Sequence, residues 1–372
     1  MGDCIFCPLP NEIVGQQSIK QLDRANKGLV FERFFAGYDR QFSEIDTSSK
    51  ETAIDRVSGH VGDAEQLTDY QERMSAMMGA VGGRSVVFST DWNMVTGMGI
   101  NSPIENGFSW HPTLGVPYLP GSTIKGMLRT WCSEYAGLET ETITAWFGGD
   151  ATSDNESGAG TLIVFDALPK ERPLVGSDIM TPHAGKWYEK GGSGKQVPGD
   201  WHAPVPVPFL VTKEAKFVFS IGVRRGCKAD LDQVMEGLVH ALAWLGAGAK
   251  TAVGYGHMSL DQSATESMAR LVMSENQRFL VELKDQLSIE MKGRPQGLST
   301  DFTECLRKWV EQASIDDWTM PELRELLAVA EKGLKFHSPS NWNKLTKKKK
   351  PSLCMKIKAL IDEQFSKSGG SV

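Results

Sequence analysis

The spacing of apolar positions along the chain changes period at Gly82-Gly83. Before that point it is helical. Asp63 stands where a helix N-cap belongs, Leu67, Tyr70, Met74, Met77 and Met78 fall on one stripe, and Gly79 ends the pattern. A shorter helix is predicted around Leu29–Phe35. From Arg84 onward, Val86, Phe88, Thr90 and Trp92 alternate with Val87, Ser89 and Asp91, the two-residue period of a strand. A long loop over Gly97–Pro120 leads to a helix with Ile124, Leu128, Trp131, Cys132 and Tyr135 on its apolar face. A short helix with Ile143 and Trp146 follows, then a buried strand over Thr161–Ala167. Residues 173–206 carry five prolines and the run Gly191 to Gly194, and read as irregular; long loops of this kind are usually functional or disordered. Val207–Val211 and Phe217–Val223 read as a hairpin about Lys213, Glu214 and Ala215. Asp230 is placed to cap a helix carrying Leu231, Val234, Met235, Leu238, Leu242 and Leu245, which Gly246 ends, and a last strand is predicted near Val253–Leu260.

The predicted order over 84–260 is strand, helix, strand, strand, helix, strand. That is the split unit of an α+β, ferredoxin-like (RRM-like) fold, enlarged by insertions. It defines a domain over 84–262, after an N-terminal helical segment (1–83) and before a C-terminal helical extension (263–372). In the extension, Leu271, Phe279, Leu280, Leu283 and Leu287, and then Leu323, Leu326 and Leu327, keep a helical spacing. Topology of this kind hosts many functions and decides none.

Charge narrows the options. The 372-residue chain has a net charge of −6, which excludes a generally basic coat for nucleic acid. Any such binding is local, because the charge is uneven. Residues 1–83 hold 13 acidic against 8 basic side chains, whereas 338–361 hold seven lysines and no acid. The lysine run Lys347–Lys350 reads as a solvated face with RNA backbone as its other reading. The longest apolar run, Leu238–Leu245, is too short to span a bilayer, and no targeting signal is visible, so no membrane partner and a cytoplasmic location are expected. Cys4 and Cys7 form a lone Cys-x-x-Cys without the second pair a zinc ribbon needs. No metal and no cofactor are expected.

Two stretches concentrate the chemistry. In Gly115–Arg129, a loop stops on Pro120-Gly121 and opens a helix with Ser122, Lys125 and Arg129 on one side. In Gly246–His257, glycines surround Lys250 between a helix and a strand. Glycine lets a backbone approach a ligand and point its amides at it, and a helix N-terminus attracts anions. Ser122 reads as an N-cap, a phosphate-facing residue, or both. Lys125 and Arg129 read as phosphate contacts rather than an idle solvent pair. A Walker or Rossmann loop follows a strand and opens a helix; here the order is reversed, so Gly248, Lys250, Gly254 and Gly256 read as RNA-backbone contacts or a close-packed turn. Tyr255 and His257 suit base stacking or plain sheet packing. Arg224 and Arg225 end a strand, as phosphate contacts or a polar turn. Lys186, Trp187, Tyr188, Lys190 and Lys195 mix cations and aromatics in the long loop, which suits RNA or a neighbouring subunit equally.

Tyr118 to Gly126 followed by Leu128-Arg129 resembles the signature of RAMP proteins of CRISPR systems, and Gly246 to Gly256 resembles their glycine-rich loop. Thr96 to Gly99, Glu105 to Phe108, Trp110 to Pro112, Phe165 to Ala167 and Asp178 to His183 sharpen the match to the sixth Cmr subunit family of type III-B effector complexes. The resemblance runs from about residue 84 to 260 and implies a noncatalytic RNA-binding subunit in antiviral defence. It would cap the backbone near the guide RNA 3′ end and help capture target RNA. The implied partners are guide and target RNA, a repeating RAMP backbone subunit, a small helical subunit and a neighbouring terminal RAMP subunit. Affinity would come mainly from phosphates. The alternative is a metal-independent endoribonuclease processing guide RNA, with His111, His183, His202 or His257 in acid–base roles if the fold gathers them. Asp91 and Asp166, in predicted strands, are expected to be structural.

Overall fold

The computed structural model describes residues 25–35, 37–38, 45, 47–149, 158–188, 197, 199, 204–293, 298–313 and 318–337. The chain forms two compact units, Met1–Ala269 and Arg270–Val372. The predicted features at Cys4, Cys7, Lys190, Lys195, His202 and Lys347–Lys350 lie outside the described residues.

The first unit begins with α1 (Lys27–Arg33), α2 (Thr47–Val57), the short β1 (Gly59–His60) and α3 (Ala64–Ala80). Asp63 caps α3 as predicted, its carboxylate accepting the Gln66 N–H at 3.0 Å. Then come β2 (Arg84–Thr90), α4 (Gly121–Thr130), α5 (Thr140–Phe147), β3 (Leu162–Val164), β4 (Leu168–Pro169), β5 (Leu174–Met180), α6 (Gly185–Tyr188), β6 (Val207–Lys213), β7 (Lys216–Val223), α7 (Leu231–Trp244) and β8 (Met258–Leu260). Helix α8 (Gln262–Val272) follows and runs past Ala269, the last residue of the unit.

One antiparallel sheet has the order β3-β7-β2-β8, with β4 also on β7. Val86 pairs with Phe219 and Phe88 with Phe217, so alternate side chains of β2 and β7 share a face. On that face Phe88, Phe217, Phe219 and Ile221 meet Ile124 and Leu128 of α4 and Val234, Leu238 and Leu242 of α7. The opposite face places Val87 and Val218 against Ala264 and Met268 of α8. Beside that apolar pair, the Ser85 and Ser220 hydroxyls on the same face share a hydrogen bond at 2.7 Å.

A second sheet, β1-β5-β6, corrects two sequence expectations. Strand β5 lies inside the stretch read as irregular. Its Gly176, Ser177 and Asp178 hide the strand signal, and its definition comes from a seven-residue register on β6, Leu174↔Lys213 to Met180↔Val207. The predicted hairpin also does not form. β6 pairs with β5 and β7 pairs with β2, β3 and β4, so the turn at Glu214 (φ 45°) passes the chain from one sheet to the other. Each strand finds its apolar partner elsewhere, which adjacency in sequence does not reveal.

The helix-face expectation for α4 holds through Cys132 and then fails. The chain widens into a π turn at Trp131–Tyr135, which rotates Tyr135 out to solvent, where it stacks on Trp131 (5.2 Å, 4°). The second unit contains α9 (Glu275–Gly293), α10 (Thr300–Gln312) and α11 (Met320–His337), packed around Leu280, Leu283, Leu287, Leu306, Trp318, Leu323 and Leu326.

Phe219 is fully buried and meets Phe88 edge to face at 5.2 Å. Phe219→Ala is expected to cost about 3–5 kcal/mol, read as a lowered urea midpoint for the first unit; a midpoint unchanged from wild type would contradict this core.

Candidate nucleic-acid interface

The site is built on the segment leaving β2. The Asn93 carbonyl accepts the Gly256 N–H at 2.9 Å, and the Val95 carbonyl accepts the Ala249 N–H at 2.8 Å. Within the glycine loop, Ala247 N–H donates to the Gly256 carbonyl at 2.9 Å. These bonds bring backbone against backbone. A Cβ on Gly248 (φ +103°) would stand 2.1 Å from the Val95 carbonyl oxygen, and one on Gly256 (φ +72°) 2.0 Å from that of Ala247. The close-packed-turn reading of the glycines therefore holds. The loop also touches the start of α4, because Leu119 Cδ2 lies 3.7 Å from the same Gly248 Cβ position. The two stretches singled out in the sequence are neighbours.

Above the loop sits an aromatic pair. Trp92 is 51% exposed and leans on Tyr255, which is only 7% exposed, with ring centroids 4.6 Å apart and planes tilted by 40°. Tyr255 is held from below, where its hydroxyl donates to Asp178 Oδ2 at 2.8 Å. Burial, with the Asp178 hydrogen bond and charge, pushes the phenol up to about 12, so it stays a neutral donor. Lys250, in the left-handed region at φ 58°, places its ammonium 5.3 Å from the Phe209 ring centroid. Phe209, Val95, Val211 and Tyr255 form the apolar floor. The result is an exposed indole beside a cation and a bare backbone, the combination that holds single-stranded nucleic acid by stacking and charge. Trp92 and Asp178 were not singled out as site residues. Trp92 read as one more strand position, and only the pairing with Tyr255 separates it from the core.

At the helix start, Pro120 rather than Ser122 occupies the N-cap position. The Gly121 N–H donates to Asp166 Oδ1 at 2.7 Å. The positive end of this helix is already engaged by a carboxylate of the same chain. Ser122 is exposed in the first turn and Lys125 half-buried one turn on. Arg129 and Arg224 are drawn to another place. They donate to the carbonyls of Gly148 (3.3 Å) and Gly160 (3.2 Å), the two sides of one neck, where a Gly160 Cβ would meet Gly148 N at 2.6 Å. Arg225 is exposed and lines an open groove with Lys228 and Gly226. Lys186 falls in α6, and its side chain lies outside the described residues.

Among the described residues, the candidate histidines have separate surroundings. Both ring nitrogens of His257 face carbonyls, Ala243 at 2.9 Å and Thr251 at 3.1 Å. His111 instead accepts the Leu114 N–H on Nδ1 at 3.2 Å and lies between Tyr70 and Tyr118. His183 is exposed. Asp91 accepts from the Ser259 hydroxyl at 2.6 Å, the structural use expected of it. Among the described residues no group of three or more His, Cys, Asp or Glu is placed to hold a metal ion.

Gly248→Ala combines a positive φ with the Val95 contact, and a loss of more than about 1 kcal/mol is expected in a denaturation series; an unchanged midpoint would contradict the close approach. Burial, partly offset by Asp166, holds the His111 imidazole below 6.5. The native state then binds fewer protons than the unfolded chain between that lowered value and 6.5. The stability tied to His111 is complete above about 6.5 and is lost as pH falls through the lowered value. Urea midpoints compared at pH 7.5 and pH 5 should fall less in His111→Gln than in wild type.

A family model described as RAMPs, RAMP superfamily, matches residues 60–259. The chain is 27% identical over 246 residues to the CRISPR system Cmr subunit Cmr6 of Pyrococcus furiosus, covering 51% of this chain and 70% of that protein. It is 27% identical over 161 residues to the Cmr6 subunit of Saccharolobus solfataricus, covering 42% of this chain and half of that protein. Among solved structures, it is similar to a chain in the cryo-EM structure of the type III-B Cmr-beta bound to cognate target RNA (TM-score 0.44, 19% identity, 68% of this chain and 85% of the other). It is also similar to the crystal structure of Cmr6 from Pyrococcus furiosus (TM-score 0.29, 27% identity, 48% and 97%). Because the matched family region spans more than half of the sequence and includes both the glycine loop and the helix start beside it, the chain belongs to the RAMP superfamily.

Proposed function

We propose that this protein is a noncatalytic RNA-binding subunit of a type III-B CRISPR (Cmr) effector ribonucleoprotein. In this reading it caps the backbone near the guide RNA 3′ end and contributes to target-RNA capture. The relatives named Cmr6 support the assembly. Its partners are guide and target RNA, the repeating RAMP backbone subunit, the small helical subunit and the neighbouring terminal RAMP subunit. The order β3-β7-β2-β8, with α4 and α7 on one face, supports reading the domain as ferredoxin-like.

The observation that carries RNA binding is the exposed Trp92 leaning on the anchored Tyr255, beside Lys250 and the glycine loop. A base stacks on the free face of the indole, and Lys250 neutralises a neighbouring phosphate. Lys125 and Ser122 extend the contact along α4, while Gly248 and Gly256 let the loop pack tightly enough to keep the platform in place. The two carbonyl contacts of His257 occupy both of its ring nitrogens, which supports a noncatalytic role for that residue.

Fluorescence anisotropy with single-stranded RNA tests the reading. Trp92→Ala is expected to weaken binding about 5- to 100-fold, and Lys250→Ala to lower the salt slope by about 0.7–1. The same protein incubated with repeat RNA in EDTA should leave it uncut. Unchanged affinity in Trp92→Ala, or a defined cut, would overturn the proposal.

A further inference from the structure

Beside the start of α4 lies a group of side chains that the stacking platform does not use. Tyr70 comes from α3, His111 and Tyr118 from the long connection between β2 and α4, and Asp166 from the bend between β3 and β4. The rings of Tyr70 and His111 meet edge to face at 6.1 Å and 68°, and those of His111 and Tyr118 at 5.7 Å and 82°. All three rings are half-buried, and Asp166 is exposed. After burial, the charge of Asp166 is the next influence on each ring, raising both phenols and opposing burial at the imidazole. The four side chains therefore share one electrostatic neighbourhood.

The backbone sets which polar atoms face outward. Leu114 donates its N–H to His111 Nδ1, so that nitrogen presents its lone pair and the neutral ring carries its proton on Nε2. Among the described residues Nε2 has no hydrogen-bond partner, and neither phenol hydroxyl has one. Gly121 uses one acceptor position of Asp166 Oδ1. A carboxylate has about four such positions, so most remain.

This chemistry rejects phosphate. Asp166 sits where the helix would otherwise attract an anion, and Glu32 adds its negative charge at Tyr118. Arg73, beside Tyr70, is the cation of the group. A ligand must instead bring N–H donors. The carboxylate offers two adjacent acceptors and His111 offers one donor. Guanine presents the complement on its Watson–Crick edge, with two neighbouring N–H donors followed by a carbonyl acceptor. Adenine and cytosine present a single amino donor next to an acceptor, and uracil presents one imino donor between two acceptors. Each of those three would turn an acceptor toward a carboxylate oxygen.

We propose that Tyr70, His111, Tyr118 and Asp166 form a receptor for an unpaired guanine base of the bound RNA. The inference rests on the RNA-binding reading above and adds base selectivity to it.

The test uses the full chain and four oligouridylates of equal length whose central base is G, A, C or U. The G strand is expected to bind about tenfold more tightly than the others. Replacing that guanine by inosine, which lacks the amino donor, should remove most of the preference. Asp166→Asn keeps an oxygen for the Gly121 N–H but substitutes a donor for an acceptor, so it should abolish the preference among the four strands. Equal binding of all four strands, or a guanine preference that survives Asp166→Asn, overturns the receptor. If equal binding still weakens in Trp92→Ala, the RNA-binding reading stands without the guanine site. If none of the strands binds, both fall.

Discussion

Six residues after the first long strand hold the molecule's parts in register. Over 91–96 the backbone bonds in alternating directions. Asp91 takes the His257 carbonyl, and Asn93 and Val95 hold the glycine loop. Met94 exchanges both of its hydrogen bonds with Thr212 of β6 in the other sheet, at 2.9 and 2.8 Å. Thr96 bonds the Tyr118 carbonyl through its hydroxyl at 2.9 Å. The extended backbone has donors and acceptors on both edges, and here both edges are used. Neither the platform nor the helix start would have a fixed position without this segment. The glycines follow from it, since only a residue without Cβ fits within reach of the Val95 and Ala247 carbonyls.

The distribution of charge gives the surface its character. The devices that would attract phosphate are partly satisfied from within. The α4 N-terminus holds the Asp166 carboxylate, and Arg129 and Arg224 secure the neck at Gly148 and Gly160. A protein of net charge −6 with those arginines engaged would, in the proposed role, present few cations to RNA, Lys250 among them. In the proposed RNA-binding role, stacking would carry a larger share of the contact than salt-dependent attraction. That shifts the expected balance away from phosphates and toward bases, the direction in which the carboxylate and aromatic cluster also points.

Much of the architecture was legible in the chain. Helical and strand periods placed α3, β2, α4, β7 and α7, and the caps at Asp63 and Asp230 were recognisable because a short acceptor side chain before an apolar stripe has a local cause. The glycine loop and the Pro120-Gly121 turn also stood out, since positive φ and helix starts are written in single residue types. Strand β5 and the separation of β6 from β7 were not legible, because a strand with Gly, Ser and Asp at its centre is defined by the partner it pairs with.

The sequence alone determined local conformation, the family signature and the presence of two unusual loops, all consequences of short-range sterics and capping. The tertiary structure decided which groups meet. It set Trp92 over Tyr255, spent two of the predicted arginines on carbonyls, and brought Asp166 to a helix start 45 residues earlier in the chain. Contacts of that kind depend on strand pairing between distant segments, and the spacing of residues along a chain carries no record of them.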